Sequence, residues 1–120
     1  MGLKIVVIED DAEILYIVYL LLTEEGHEVI HASDLEITKD IVTLQPDLIL
    51  LDELLGNEKG SDACKMLKAK KETSHIPIVM MSALLGIESK AAEAGADGYL
   101  RKPFDRDELN ELVNRWQKIQ

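Results

Sequence analysis

Leu48-Ile49-Leu50-Leu51-Asp52 is an aliphatic run of four ending on a carboxylate, and Ile5-Val6-Val7-Ile8-Glu9-Asp10-Asp11 repeats the arrangement near the start of the chain. An apolar run of this length, bounded by polar or turn residues, reads as a fully buried strand. In an open parallel sheet, ligands sit beyond the carboxyl ends of the strands, where the strand order reverses. Acids placed just past two such strands converge on one pocket. Like charges that close cannot all ionise without a counter-charge, and the natural one is a hard divalent cation that takes oxygen ligands. An acidic, metal-dependent site is therefore expected.

Working outward, strand-like and helix-like segments alternate to both ends. Leu3–Ile8 reads as the first strand and Ala12–Glu25 as a helix closed by Gly26. Glu28–His31 follows as a strand; Ser33 and Glu36, at capping-box spacing, open a helix to about Leu44. Pro46 ends it, and Asp47–Leu51 is the third strand. Gly56 and Gly60 bracket a polar loop before a Lys-rich helix from about Ser61 to Lys71. Ile76–Met81 is the fourth strand, with Pro77 at its edge, Glu88–Ala94 a short helix closed by Gly95, and Asp97–Leu100 the fifth strand. Asp105 and Glu108 repeat the capping-box spacing before a last helix to about Lys118. Five such units predict an α/β fold, a parallel sheet with helices on both faces. No repeat, linker or low-complexity stretch interrupts them.

The bulk numbers narrow the function. A length of 120 residues fits one domain, 1–120. A net charge of −10 argues against a nucleic-acid surface, which needs clustered positive charge. The single cysteine, Cys64, excludes an internal disulfide, suits a reducing compartment and reads as a small core hydrophobe. The longest apolar stretch, Ile14–Leu22, has nine residues, far short of the roughly 20 that span a bilayer. With no secretory signal, a cytoplasmic location without membrane contact is expected.

Four separated motifs in order, IVVIEDD, PDLILLD, IPIVMMSA and GADGYLRKPF, resemble the receiver domain of two-component response regulators, the CheY-like group of flavodoxin-like folds. The resemblance covers essentially the whole chain. It implies a doubly wound five-stranded sheet of order 2-1-3-4-5, and a domain that takes a phosphoryl group from a sensor histidine kinase or a histidine phosphotransfer protein. By this likeness Asp52 is the phosphoacceptor. Glu9 and Asp10 hold Mg²⁺ (Mn²⁺ as a substitute) together with Asp52 and the backbone carbonyl of Leu54; Asp11 holds the next, less critical position. Ser82 bonds a phosphoryl oxygen, Ala83 leaves room for it, Lys102 pairs with the phosphoryl group, and Ser82 with Tyr99 forms the switch. A cis Lys102–Pro103 bond is also implied. The chain is not expected to be an enzyme beyond its own phosphorylation and dephosphorylation.

Phosphoryl transfer asks for in-line positioning and neutralised oxygens, and a divalent ion with Lys102 reverses the sign of an acidic pocket. Taken singly, Asp10 and Asp11 read as helix caps, Ser82 as a strand-end turn and Tyr99 as a packed strand residue. The combination carries the assignment.

Several features depart from the family pattern. Gly56 stands where the family usually has proline, giving a more permissive loop, and the segment between Ser82 and Tyr99 is short, so the fourth helix should be short or irregular. In the family that region often forms the activated dimer or output surface, so a monomer or a weak, phosphorylation-dependent dimer is expected here. In the first helix Ile14, Val18 and Leu21 form a core stripe, while Leu15, Tyr16 and Tyr19 fall on the other side, as partial burial or as a docking patch for the phosphodonor's helical bundle. Trp116 reads as packing or surface, His27, His31 and His75 as loop or strand residues, at least one of Met80 and Met81 as core, and the Lys65–Lys71 run as a solvated face. Leu54 and Leu84 flank the pocket and favour a long-lived phosphoryl group.

Other readings are weaker. A haloacid-dehalogenase-like phosphohydrolase wants Asp-x-Asp-x-Thr after the first strand, where this chain has Glu9-Asp10-Asp11-Ala12-Glu13. A flavin or nucleotide module wants a hydroxyl- or glycine-rich loop there. A phosphate-independent interaction module would not need the five chemical positions. A receiver within a longer DNA-binding regulator or hybrid kinase has the same sequence signature.

Overall fold

In the computed structural model, which describes residues 2–117, five parallel strands form the central sheet: β1 (Lys4–Ile8), β2 (Glu28–Ala32), β3 (Leu48–Asp52), β4 (Ile78–Ser82) and β5 (Gly98–Arg101). Their spatial order is 2-1-3-4-5 and every pairing is parallel. The helices are α1 (Ala12–Glu24), α2 (Ile41–Leu44), α3 (Gly60–Ala69), α4 (Ile87–Ala94) and α5 (Arg106–Asn114).

Alternation along the strands sorts the core into two layers. Val6, Ile8, Ile49, Leu51, Ile78 and Met80 pack under α2, α3 and α4, meeting Ile41, Cys64, Leu67 and Ile87. Ile5, Val7, Leu48, Leu50, Val79 and Met81 pack under α1 and α5, meeting Val18, Leu22, Leu109 and Val113. Both methionines are therefore core, as is Cys64, whose thiol burial pushes up to about 11. Trp116 is half-buried against the second layer.

The structure corrects several expected boundaries. The fourth strand begins at Ile78, after Pro77, and the third at Leu48. The helix expected from Ser33 is capped instead by Asp34, whose carboxylate accepts the Glu36 N–H at 3.0 Å; it runs as a 3₁₀ turn over Leu35–Asp40 before α2. The Asp105/Glu108 capping box forms in both directions. The helix after it ends at Asn114, and Lys118, the expected limit, lies outside the described residues.

The polar loop after Asp52 is a small antiparallel hairpin pairing Leu54–Leu55 with Glu58–Lys59. Gly56 takes a φ of +64° at the first of its two turn positions, the place where a type II′ turn wants glycine. On α1 the stripe is shifted from that expected. Val18 and Leu22 are buried; Ile14, Leu15 and Leu21 pack partly against the core. Tyr16, Ile17 and Leu20 are the exposed apolar residues. Tyr19 is half-buried and meets His31 edge to face at 5.5 Å. Lys68 leaves the solvated Lys face to pair with Asp97 at 2.7 Å. Among the described residues no helix is long and apolar enough to cross a membrane.

Candidate functional site

Register brings the acids together. Ile8 pairs with Leu51 across β1 and β3, so Glu9 and Asp52 emerge side by side at the carboxyl edge of the sheet. Asp11 caps α1, accepting from the N–H groups of Glu13 and Ile14 at 3.0 and 3.2 Å, which commits it to the helix and leaves Asp10 turned to the pocket. Glu9, Asp10 and Asp52 can each offer one carboxylate oxygen within 4.8 Å of the others. Such a set of hard oxygen donors suits a small divalent cation.

Lys102 crosses into the same pocket from beyond β5. Its ammonium donates to Glu9 Oε1 and lies 2.8 Å from Asp52 Oδ1. Its backbone N–H bonds the Ser82 carbonyl at 3.0 Å, and the Lys102–Pro103 bond is cis. Burial pushes the Glu9 carboxyl above the usual carboxylate range, with Lys102 only partly offsetting it; burial does the same to Asp52, again against Lys102 and with Asp10 adding repulsion. Burial works against the Lys102 ammonium, but its hydrogen bonds to Asp52 and Glu9 outweigh that and raise its pKa. One ammonium among three acids leaves uncompensated negative charge.

Ser82 is buried at the end of β4, one position past Met81, the residue paired with Asp52. Its hydroxyl accepts the Leu84 N–H at 3.0 Å. Ala83 is exposed at the mouth. Leu54 stands 53% exposed on the hairpin and Leu84 is half-buried. Tyr99 lies on β5 with 41% of its surface exposed.

Three contributors were not read from the sequence. The Gly56 N–H donates to Asp10 Oδ2 at 3.2 Å, a bond that proline at this position could not make. Gly60 lies so close to β3 that a Cβ would come within 2.0 Å of the Asp52 carbonyl oxygen. Glu53 is buried, its carboxylate accepting from Ser61 N–H and Oγ at 2.7 and 3.0 Å.

The response regulator receiver domain family model matches residues 5–114. A DNA-binding dual master transcriptional regulator, RpaA, from Synechocystis sp. is 38% identical over 88% of this chain and 45% of its own length. The alkaline phosphatase synthesis transcriptional regulatory protein PhoP of Bacillus subtilis is 37% identical over 94% of this chain and 48% of its own. The chain thus spans about half the length of these curated relatives. Among solved structures, a putative response regulator from Chloroflexus aurantiacus superposes with a TM-score of 0.90 at 28% identity, covering 97% of this chain and 98% of that one. The receiver domain of a sensor histidine kinase from Pseudomonas aeruginosa, with a magnesium ion coordinated in its active site cleft, gives 0.87 at 28% identity over the same shares.

Proposed function

Because the chain belongs to the response regulator receiver family, we propose that it is a phosphorylation-controlled signalling module in which Asp52 accepts a phosphoryl group from a histidine kinase or histidine phosphotransfer protein. The observation that carries this reading is the convergence of Glu9, Asp10, Asp52 and Lys102 on one pocket at the carboxyl edge of the sheet. The cation would be held by Glu9, Asp10, Asp52 and the Leu54 carbonyl, with Mg²⁺ the natural occupant and Mn²⁺ a substitute. When bound it supplies positive charge to the transferring oxygens.

The chain's own residues do the rest. An Asp52 carboxylate oxygen attacks phosphorus in line; the P–N bond to the donor histidine breaks, and its electron pair leaves with the imidazole, which is then protonated. Lys102, now shared between Glu9 and Asp52, turns its ammonium toward a phosphoryl oxygen. Ser82 accepts from Leu84 and keeps its own hydroxyl proton to donate to another oxygen, while Ala83 leaves space beside it. Movement of Ser82 toward the phosphoryl group then draws Tyr99 inward from its exposed position and changes the surface that a downstream partner reads.

The donor's helical bundle would dock where Tyr16, Ile17 and Leu20 of α1 lie exposed next to a groove formed by Ile14, Ile17, Ala83, Pro103 and Phe104. Leu15 packs against the core, so Tyr16 and Ile17 are the positions to alter. Residues 1–120 form a single receiver unit in this reading, cytoplasmic and without nucleic-acid contact of its own. It is monomeric or a weak, phosphorylation-dependent dimer, and its relatives' lengths fit a receiver carried within a longer regulator. It catalyses only its own phosphorylation and dephosphorylation.

Incubation with acetyl phosphate and Mg²⁺, followed by intact mass, tests the reading. One phosphoryl adduct is expected, lost with EDTA and in Asp52→Asn. No adduct under conditions where Mg²⁺ binds, or an undiminished adduct in Asp52→Asn, would overturn it.

A further inference from the structure

Glu53 combines three features that are unusual together: it follows the proposed acceptor directly, it is charged, and it is 1% exposed. A buried carboxylate is retained only where hydrogen bonds or opposite charge compensate its lost hydration. Here the compensation comes from α3 and α4. The Ser61 N–H and Oγ donate to its two oxygens at 2.7 and 3.0 Å, and the Lys90 ammonium of α4 lies 3.9 Å away.

Lys59, the residue at the N-cap of α3, provides no side-chain cap. Glu53 fills that role from the end of β3, satisfying a first-turn N–H with a negative charge where a helix N-terminus favours one. Its main chain is equally fixed. The Glu53 N–H bonds the Met81 carbonyl at 3.1 Å, and its carbonyl accepts the Gly60 N–H at 2.8 Å. Glu53 is thereby held through backbone and side chain at once, and its two neighbours are Asp52 and Leu54.

We propose that Glu53 is a positioning residue for cation binding: its buried carboxylate, tied to Ser61 at the start of α3, locks the Asp52–Leu54 turn so that the Asp52 carboxylate and Leu54 carbonyl are aimed before a cation arrives. The identity of those two ligands rests on the receiver reading above. Partners that orient a metal ligand in this way are typically worth about 10–100-fold in metal affinity. A carboxylate that merely capped α3 would contribute to stability and leave the cation affinity alone.

The test measures Mg²⁺ affinity by titration calorimetry on wild type, Glu53→Ala and Glu53→Gln, with thermal unfolding of each. Glu53→Ala should bind Mg²⁺ about tenfold more weakly. Glu53→Gln, which keeps an oxygen for the Ser61 N–H, should recover the affinity to within about threefold of wild type, since a neutral acceptor gives a weaker bond in the same geometry. A folded Glu53→Ala protein with a lowered Tm and wild-type Mg²⁺ affinity would overturn the proposal, as would a Gln variant no better than Ala. If Glu53→Ala does not fold, Ser61→Ala takes its place. It removes one of the two side-chain bonds and should weaken Mg²⁺ by about twofold or more; unchanged affinity there would overturn the proposal. Acetyl phosphate labelling of wild type separates the two ideas. Its failure would defeat the phosphoacceptor reading, while the Mg²⁺ titrations still decide the role of Glu53.

Discussion

Asp10→Asn removes one of three carboxylates whose oxygens lie within 4.8 Å of one another, opposed by the single Lys102 ammonium. Two unit charges at that separation repel by about 3.5 kcal/mol at an effective dielectric constant of about 20. Asp10 is exposed, so screening reduces the gain from its removal to about 1 kcal/mol. The asparagine keeps a side-chain oxygen for the Gly56 N–H, which Asp10 accepts at 3.2 Å, and the hairpin contact survives. Without divalent cations the variant should therefore be the more stable protein, with a Tm about 3–5 °C higher. Mg²⁺ should invert that order. Wild type should gain about 2.7 kcal/mol at a free concentration about 100 times Kd, whereas the variant, lacking one of the proposed ligands, should gain far less. Thermal unfolding followed by circular dichroism, in EDTA and in saturating Mg²⁺, reads both effects. A variant that melts below wild type in EDTA would refute the repulsion argument, and an equal Mg²⁺-induced rise in both proteins would refute Asp10 as a ligand.

Lys102→Met strips the counter-charge from Glu9 and Asp52 and should lower stability at pH 7 in EDTA by about 2–3 kcal/mol; urea unfolding should show the deficit shrinking as the pH is lowered and the raised carboxyl groups take up protons. Gly60→Ala would force a Cβ to within 2.0 Å of the Asp52 carbonyl oxygen, so a loss of about 3 kcal/mol and weaker acetyl phosphate labelling are expected; a Tm within a degree or so of wild type would contradict the contact. His27 is buried, its Nδ1 accepts the Leu3 N–H at 2.9 Å, and burial, opposed by Glu25, holds its pKa below the ordinary 6.5. A depressed folded pKa means that the unfolded chain binds the proton first, so this contribution to stability is complete above about pH 6.5 and is lost as pH falls through the folded value. His27→Gln, which retains an acceptor and does not titrate, should remove that part of the slope; an identical pH profile would count against it.

Much of the fold was legible because its strands are aliphatic runs. Ile5–Ile8 and Leu48–Leu51 are buried on both faces of the sheet, and such runs announce themselves without alternation. Strand order was not in the pattern at all and came from the family likeness. Ser33 and Glu36 fit the capping-box spacing, yet Asp34 reaches the Glu36 N–H directly, the local bond that short acidic side chains favour. The hairpin after Asp52 was invisible because each of its strands has only two residues. On α1, nearly every position is apolar, so periodicity could not tell that Leu15 packs inward while Ile17 and Leu20 face out.

The site divides in the same way. Glu9, Asp10, Asp52 and Lys102 could be gathered from motifs, since strand ends fix where such residues emerge. The parts that hold them were hidden. Glu53 gives no hint in sequence that Ser61, eight positions on, will receive its carboxylate. Nor does Gly56 reveal that its N–H will find Asp10, which lies 46 positions away. Both depend on tertiary geometry that no local spacing encodes.

Borohydride reduction of protein phosphorylated with acetyl phosphate and Mg²⁺ is the most direct test of the central assignment, because hydride converts an aspartyl phosphate, but not a free carboxylate, to homoserine. Peptide sequencing by mass spectrometry should find homoserine at position 52 and nowhere else. Homoserine at another acid, or a phosphoryl adduct that leaves Asp52 unreduced, would contradict the account.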